Sequence, residues 1–143
     1  MSAVRAPGAM VLLTRLAKVV YRRSDAERLG MSLRWYVALS FLDDHDGASQ
    51  QALGEALCID ANNLVLLLNE LEAAGYAERR RDALDRRRHL VHITADGRRA
   101  LDRAEQAQEA VEADVLAALD REERATLRAL LARALEKAGP GPG

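Results

Sequence analysis

Residues 49–75 read SQQALGEALCIDANNLVLLLNELEAAG, and the spacing within this stretch decides the fold. Ser49 stands where a hydroxyl can accept one of the unpaired N–H groups of a helix start, and residues 50–57 follow with Leu53, Ala56 and Leu57 at helical spacing. Cys58 and Ile59 form a short link, in which Cys58 reads as a packed thiol between two apolar neighbours. Asp60 then caps a longer helix to about Ala74. Its stripe is Leu64, Leu67, Leu68 and Leu71, and Gly75 sits where a left-handed residue ends a helix. Two short helices across a tight connection, the second longer and well capped, predict a helix-turn-helix.

Downstream the period changes. Residues 76–81 and 89–93 each read as extended, joined by Asp82-Ala-Leu-Asp-Arg-Arg-Arg88, with Val91 and Ile93 on one face. A two-stranded antiparallel ribbon directly after a helix-turn-helix is a wing. Upstream, residues 9–28 read as one helix with Met10, Leu13, Leu16, Ala17 and Val20 in a stripe that Leu12 and Val19 widen. Such a stripe is too broad for one neighbour and predicts a clasp on two sides, one of them a second subunit. Ser32 caps a further helix to about Asp43, carrying Leu33, Tyr36, Val37, Ser40 and Phe41.

From Thr94 the pattern is helical again through Leu101, Ala104, Gln108, Val111, Val115 and Ala118. Asp120 with Glu123 makes a capping box for a last helix with Leu127, Leu130, Leu131, Ala134 and Leu135 on one stripe. The expected fold class is mainly α with a small two-stranded antiparallel wing, a winged helix-turn-helix flanked by terminal dimerisation helices. Residues 1–31 form the N-terminal dimerisation arm and helix, 32–94 the winged lobe, 95–138 the C-terminal dimerisation helices and 139–143 a flexible tail. Dimer contacts are expected at Leu12, Leu16, Val19, Leu119, Leu127, Leu130 and Leu131.

Composition narrows the function. With 143 residues, 49% hydrophobic and 30% charged, the chain has the make-up of a folded soluble domain, and 3% aromatics leave Leu, Ala and Val to build a helical core. The single cysteine permits no internal disulfide framework, so a reducing cytoplasm is the expected compartment. No signal-peptide pattern is seen, and apolar runs fall short of the ~18 residues a membrane span needs, so no membrane partner is expected. No nucleophile–base pair, P-loop or dinucleotide fingerprint appears, which argues against an enzyme and against a cofactor. The three histidines lack metal-ligand spacing, and Asp43-Asp44-His45-Asp46 reads as an exposed acidic turn rather than a metal site.

The net charge of −1 is unhelpful to a polyanion, but its distribution is not. Residues 78–88 hold six arginines against three carboxylates. At the start of the second helix, Asn62 and Asn63 are amides of the type that reads adenine in the major groove. Arg86, Arg87 and Arg88 lie near the tip of the wing, where a guanidinium can enter a narrow minor groove or neutralise phosphates, and Asp82 and Asp85 can hold it in a fixed fork. The expected DNA contacts are Ser49, Gln50, Asp60, Asn62, Asn63, Leu66, Arg80, Arg86, Arg87 and Arg88.

Taken in order, Leu53-Gly54-Glu55-Ala56-Leu57, Leu64 through Leu71-Glu72-Ala73-Ala74-Gly75-Tyr76, Asp82-Ala-Leu-Asp85-Arg86-Arg87 and Ile93-Thr94-Ala95-Asp96-Gly97 resemble the multiple-antibiotic-resistance regulator (MarR) family. The resemblance implies homodimers with intertwined chain ends that bind pseudo-palindromic operators, usually as repressors. It matches Asp85 and Arg87 to the wing Asp-x-Arg of the family, with Arg86 or Arg87 as the minor-groove probe. It also implies an effector crevice between the winged lobe and the dimerisation helices, here matching Arg15, Tyr21, Trp35, Tyr36 and Leu39. Arg15 would pair with an acidic ligand and Trp35 would stack on an aromatic one, although Trp35 and Tyr36 taken singly also read as core. One departure stands out. Many relatives carry Ser or Thr followed by Arg where this chain has Val65 and Leu66. That shifts readout onto Asn62, Asn63 and the wing, leaves Leu66 to touch a thymine methyl, and keeps open the alternative of a winged-helix protein–protein module with weak DNA binding.

Overall fold

The computed structural model describes residues 5–138, so expectations for residues 1–4 and for the flexible tail at 139–143 lie outside the described residues. Chain order is α1 (Ala9–Arg23), α2 (Ala26–Leu29), α3 (Leu33–Asp44), β1 (Ala48–Ser49), α4 (Gln50–Leu57), α5 (Ala61–Ala73), β2 (Ala77–Arg81), β3 (His89–Ile93), α6 (Ala95–Val115) and α7 (Arg121–Ala138). Starts of helices follow the side-chain acceptors in the sequence. Ser32 accepts from the N–H of Trp35, Ser49 from Ala52, Asp60 from Asn63 and Thr94 from Gly97. Asp120 and Glu123 each accept from the other's backbone N–H, the reciprocal pair of a capping box.

Three expectations need correction. The N-terminal segment is not one helix over residues 9–28. It breaks at Ser24, whose ψ of 60° leaves the helix, and Asp25 starts α2 by accepting from the N–H of Arg28. A Ser-Asp pair offers the backbone local acceptors that compete with helix continuation. The ribbon also gains a third strand. β2 and β3 pair antiparallel as expected, and the two-residue β1 adds to the other edge of β3, giving the order β1-β3-β2. Two residues are too few to carry a period. The long helix is three residues shorter than the pattern through Ala118, ending at Val115.

The core is aliphatic. Leu39 and Leu42 of α3, Leu53 of α4, Leu64, Leu67, Leu68 and Leu71 of α5, Val91 and Ile93 of β3, and Ala100, Leu101 and Ala104 of α6 pack as one cluster. Gly97 permits the closest approach within it. A Cβ there would collide with the Tyr76 carbonyl oxygen and come within 2.9 Å of Ile93 Cγ1. The acidic turn is exposed but engaged, because Arg98 reaches Asp43 and Asp46 at 3.4 Å each, and Asp46 also accepts from the N–H of Ile93.

The terminal helices differ from all of this. Neither the 15-residue α1 nor the 18-residue α7 buries a single residue. Met10, Val11, Leu12, Leu13 and Val19 stand exposed on α1, as do Leu130, Leu131 and Leu135 on α7. α1 is moored at its C-terminal end, where Arg23 pairs with Asp114 and Ser24 Oγ lies 3.3 Å from Gln108 Oε1 on α6. No helix among the described residues is long and apolar enough to cross a membrane.

Candidate nucleic-acid interface

α5 turns its four buried leucines onto the lobe, and the helical repeat then sends Asn62, Leu66 and Asn69 outward on the opposite face. At its start, the Asp60 carboxylate accepts from the Asn63 backbone at 2.9 Å and from the Asn63 amide at 2.7 Å. The first of these bonds does most to hold the Asp60 carboxyl below its ordinary range, with the Asn63 side chain next and Arg34 contributing least. The cap therefore engages the Asn63 amide, whereas the likewise exposed Asn62 amide makes no hydrogen bond among the described residues.

The wing is built as a guanidinium holder. Asp82 accepts from the N–H of Leu84, the Asp82 N–H donates to the Arg88 carbonyl, and the Arg88 N–H donates to the Asp85 carbonyl. Asp85 Oδ1 accepts from both the backbone N–H and the Nε–H of Arg87, at 3.1 and 3.3 Å. Arg87 is otherwise 92% exposed, a cation oriented at its root and free at its tip. Arg86 and Arg88 are exposed beside it. Arg80 pairs with Glu78 at 3.1 Å, and that bond raises its already high pKa.

A cleft of about 710 Å³ joins these parts. Its walls include Ser49 and Gln50 at the start of α4, Asp60 and Ala61 at the start of α5, and Arg87, Arg88 and His89 from the wing. Of the expected DNA contacts, Ser49, Gln50, Asp60, Arg87 and Arg88 line this one cleft. Asn62, Asn63, Leu66, Arg80 and Arg86 are exposed outside its wall. Cys58 corrects the reading as a packed thiol. It is exposed at the edge of this cleft with φ 55°, because it takes the left-handed position that closes α4.

Two arginines in the same run escaped sequence reasoning. Arg79 turns back onto α5, donating to Asn69 Oδ1 at 2.5 Å and pairing with Glu72, and so ties the wing to the helix. Arg81 donates to the Arg86 carbonyl at 2.8 Å and braces the loop. The available signal was the alternation of the strand, which puts Arg79 and Val91 opposite each other in the register.

A second cavity, about 520 Å³, lies among α1, α3, α6 and α7. Leu16, Val20, Val111, Val115, Leu116, Leu127 and Leu131 give it apolar walls, and Tyr36, Gln108, Arg128, Glu105, Glu109 and Glu112 supply the polar groups. Burial, and then Glu105, Glu112 and Glu109 in that order, push the Tyr36 phenol above its ordinary pKa. Of the five expected effector residues, only Tyr36 lines this cavity. Leu39 is completely buried in the core. Trp35 packs edge-on to Tyr76 at 5.9 Å and donates its Nε1–H to Glu70 Oε2 on α5 at 2.8 Å. Arg15 and Tyr21 are exposed on α1, away from the cavity wall. No cluster of three or more potential metal ligands occurs among the described residues.

A helix-turn-helix whose second helix faces outward beside an arginine-tipped hairpin defines a winged-helix DNA-binding protein. Comparison with known proteins narrows the class. The MarR family model matches residues 29–88. The chain is 35% identical over 113 residues to a Thauera aromatica protein named "Putative transcriptional regulatory protein for hcr operon", covering 79% of this chain and 68% of that one. The MarR crystal structure superposes with a TM-score of 0.81 at 21% identity, covering 96% of this chain and 95% of that one. The PcaV regulator of Streptomyces coelicolor, solved in complex with its natural ligand, gives 0.73 at 25% identity over 96% of this chain and 99% of that one. The chain belongs to the MarR family of transcriptional regulators, and it is a DNA-binding protein rather than an enzyme.

Proposed function

We propose that the chain acts as a cytoplasmic homodimer that binds a pseudo-palindromic operator, represses transcription from it, and is released by a small effector. The observation that carries the DNA reading is the shared cleft, in which the starts of α4 and α5 meet Arg87 and Arg88. In a duplex, the start of α5 enters the major groove while the wing reaches the adjacent minor groove. The dimer reading is supported by α1 and α7, which contain no fully buried residue and expose a row of large aliphatic residues. At roughly 25 cal/mol per Å² of apolar surface, covering those faces is the strongest available drive to association. The repressor sense follows from the family resemblance.

The effector reading is supported by the second cavity, whose volume is typical of small-molecule sites, and by PcaV, a relative solved with its natural ligand. Three carboxylates against one guanidinium make this cavity unfavourable for an acid, so the effector is a neutral or cationic aromatic compound able to hydrogen-bond Tyr36. A tenfold loss of operator affinity requires a difference of only about 1.4 kcal/mol between the two dimer geometries.

One observation favours the alternative of a protein–protein module, namely Leu66 at 59% exposure in the middle of α5. Selection of bound sites from a random duplex pool, followed by affinity measurement across salt concentrations, separates the two. A regulator selects a two-fold symmetric site and binds it with log K falling linearly in log salt. Equal affinity for the selected pool and for random duplex would refute the regulator reading.

A further inference from the structure

We infer that Leu66 is a specificity-determining residue that reads a thymine C5-methyl, so that the base code of α5 is written in A·T pairs rather than G·C pairs. This inference rests on the DNA reading above and specifies its chemistry. α5 carries five consecutive aliphatic residues from Leu64 to Leu68, and the fold uses only three of them. Leu64, Leu67 and Leu68 are buried, while Leu66 is 59% exposed and Val65 38% exposed. Among the described residues, none covers Leu66.

Its neighbours on the outward face decide the occupant. Asn62 lies one turn before it and Asn69 one turn after it, and α5 contains no arginine or lysine from Ala61 to Ala73. The face therefore lacks the side chains that bind guanine O6 and N7 in pairs. Arg79 occupies the amide oxygen of Asn69, so the face keeps Asn62 as the amide suited to adenine N6 and N7, beside one aliphatic surface suited to the thymine methyl. Four residues at about 1.5 Å rise put Leu66 about 6 Å beyond Asn62, on the order of two base-pair steps. Charge complementarity favours a duplex over an apolar protein surface. Arg87, 92% exposed and held at its root by Asp85, and Arg88 are phosphate-seeking groups that line one cleft with Asp60 and Ala61 at the start of α5.

Removing only the methyl gives the direct test. In a duplex site selected from a random pool, each thymine is replaced singly by uracil, which keeps every hydrogen-bonding edge, and binding is measured for the wild type and for Leu66→Ala. Leu66 is exposed, so the variant is expected to fold, and circular dichroism checks this. At least one uracil position in each half-site is expected to weaken the wild type about fourfold to tenfold, as loss of one buried methyl contact implies. That same position should have no effect on Leu66→Ala. Uracil effects of equal size in the two proteins, or none in either, would overturn the inference while leaving DNA binding standing. If no duplex is selected at all, the DNA reading and this inference fall together.

Discussion

Asp85 and Arg87 are two residues apart, and their pairing accounts for acidic groups inside a basic loop. The carboxylate accepts from both the backbone and the Nε of Arg87, which leaves the guanidinium terminus to project from an ordered root. Arg87→Ala is therefore expected to weaken operator binding about tenfold. It should also reduce the slope of log K against log salt by about 0.9, the value for one phosphate contact, measurable by anisotropy titration. Asp85→Ala should weaken binding by less, because it loosens the cation without removing it. Gly97 is a different case. The residue was visible in the sequence only as part of a motif, and its reason is steric, since a methyl there collides with the Tyr76 carbonyl. Gly97→Ala is expected to destabilise by about 1–3 kcal/mol, the range for overpacking, read as a lowered urea midpoint. An unchanged midpoint would mean that α6 approaches Tyr76 less closely than this collision implies.

Helices were legible where a side-chain acceptor preceded an apolar period. Ser32, Ser49, Asp60 and the Asp120–Glu123 pair all cap as their spacing implies. Ser24 was not legible as a break because the residues just beyond it, Ala26–Leu29, are themselves helical and read as a continuation. β1 was invisible because a two-residue strand owes its existence to the β3 edge rather than to its own residues. The effector crevice was the least readable part. Period reports which face of a helix is apolar but not which helices meet across a cavity, so Trp35 was assigned to ligand although it bonds to Glu70 of α5. The Asp60 cap also sets a pH dependence for α5. Its carboxyl is held below its ordinary range by bonds that favour the charged form, so its stabilising contribution is fully present above the unfolded value of about 3.9. It is lost as pH falls through the lower folded value. Urea midpoints of the wild type and Asp60→Ala should differ at neutral pH and converge in acid. A gap that stays constant to low pH would show that the charge contributes nothing.

The core joins the winged lobe to α2 and the first half of α6, whereas α1 and α7 contribute no buried residue and leave Leu12, Leu13, Leu130, Leu131 and Leu135 exposed. That division explains why the lobe was readable from its motifs while the terminal helices pointed only to a missing neighbour. Leu12 and Leu130 are each about half exposed in a single chain, so replacing both by Glu leaves the lobe intact but charges the surface offered to a second copy. Sedimentation is expected to show dimers for the wild type and lone chains for Leu12→Glu/Leu130→Glu at micromolar concentration, with retained helical circular dichroism. Dimers persisting in the double variant would move the interface elsewhere. A hydroxyl-radical footprint on a selected operator asks whether paired copies place α5 and the wing in successive grooves of one duplex. Two equivalent protected patches should appear about 10–10.5 base pairs apart, each flanked by a minor-groove protection that disappears with Arg87→Ala. A single patch, or protection that ignores Arg87, would contradict the paired-groove arrangement.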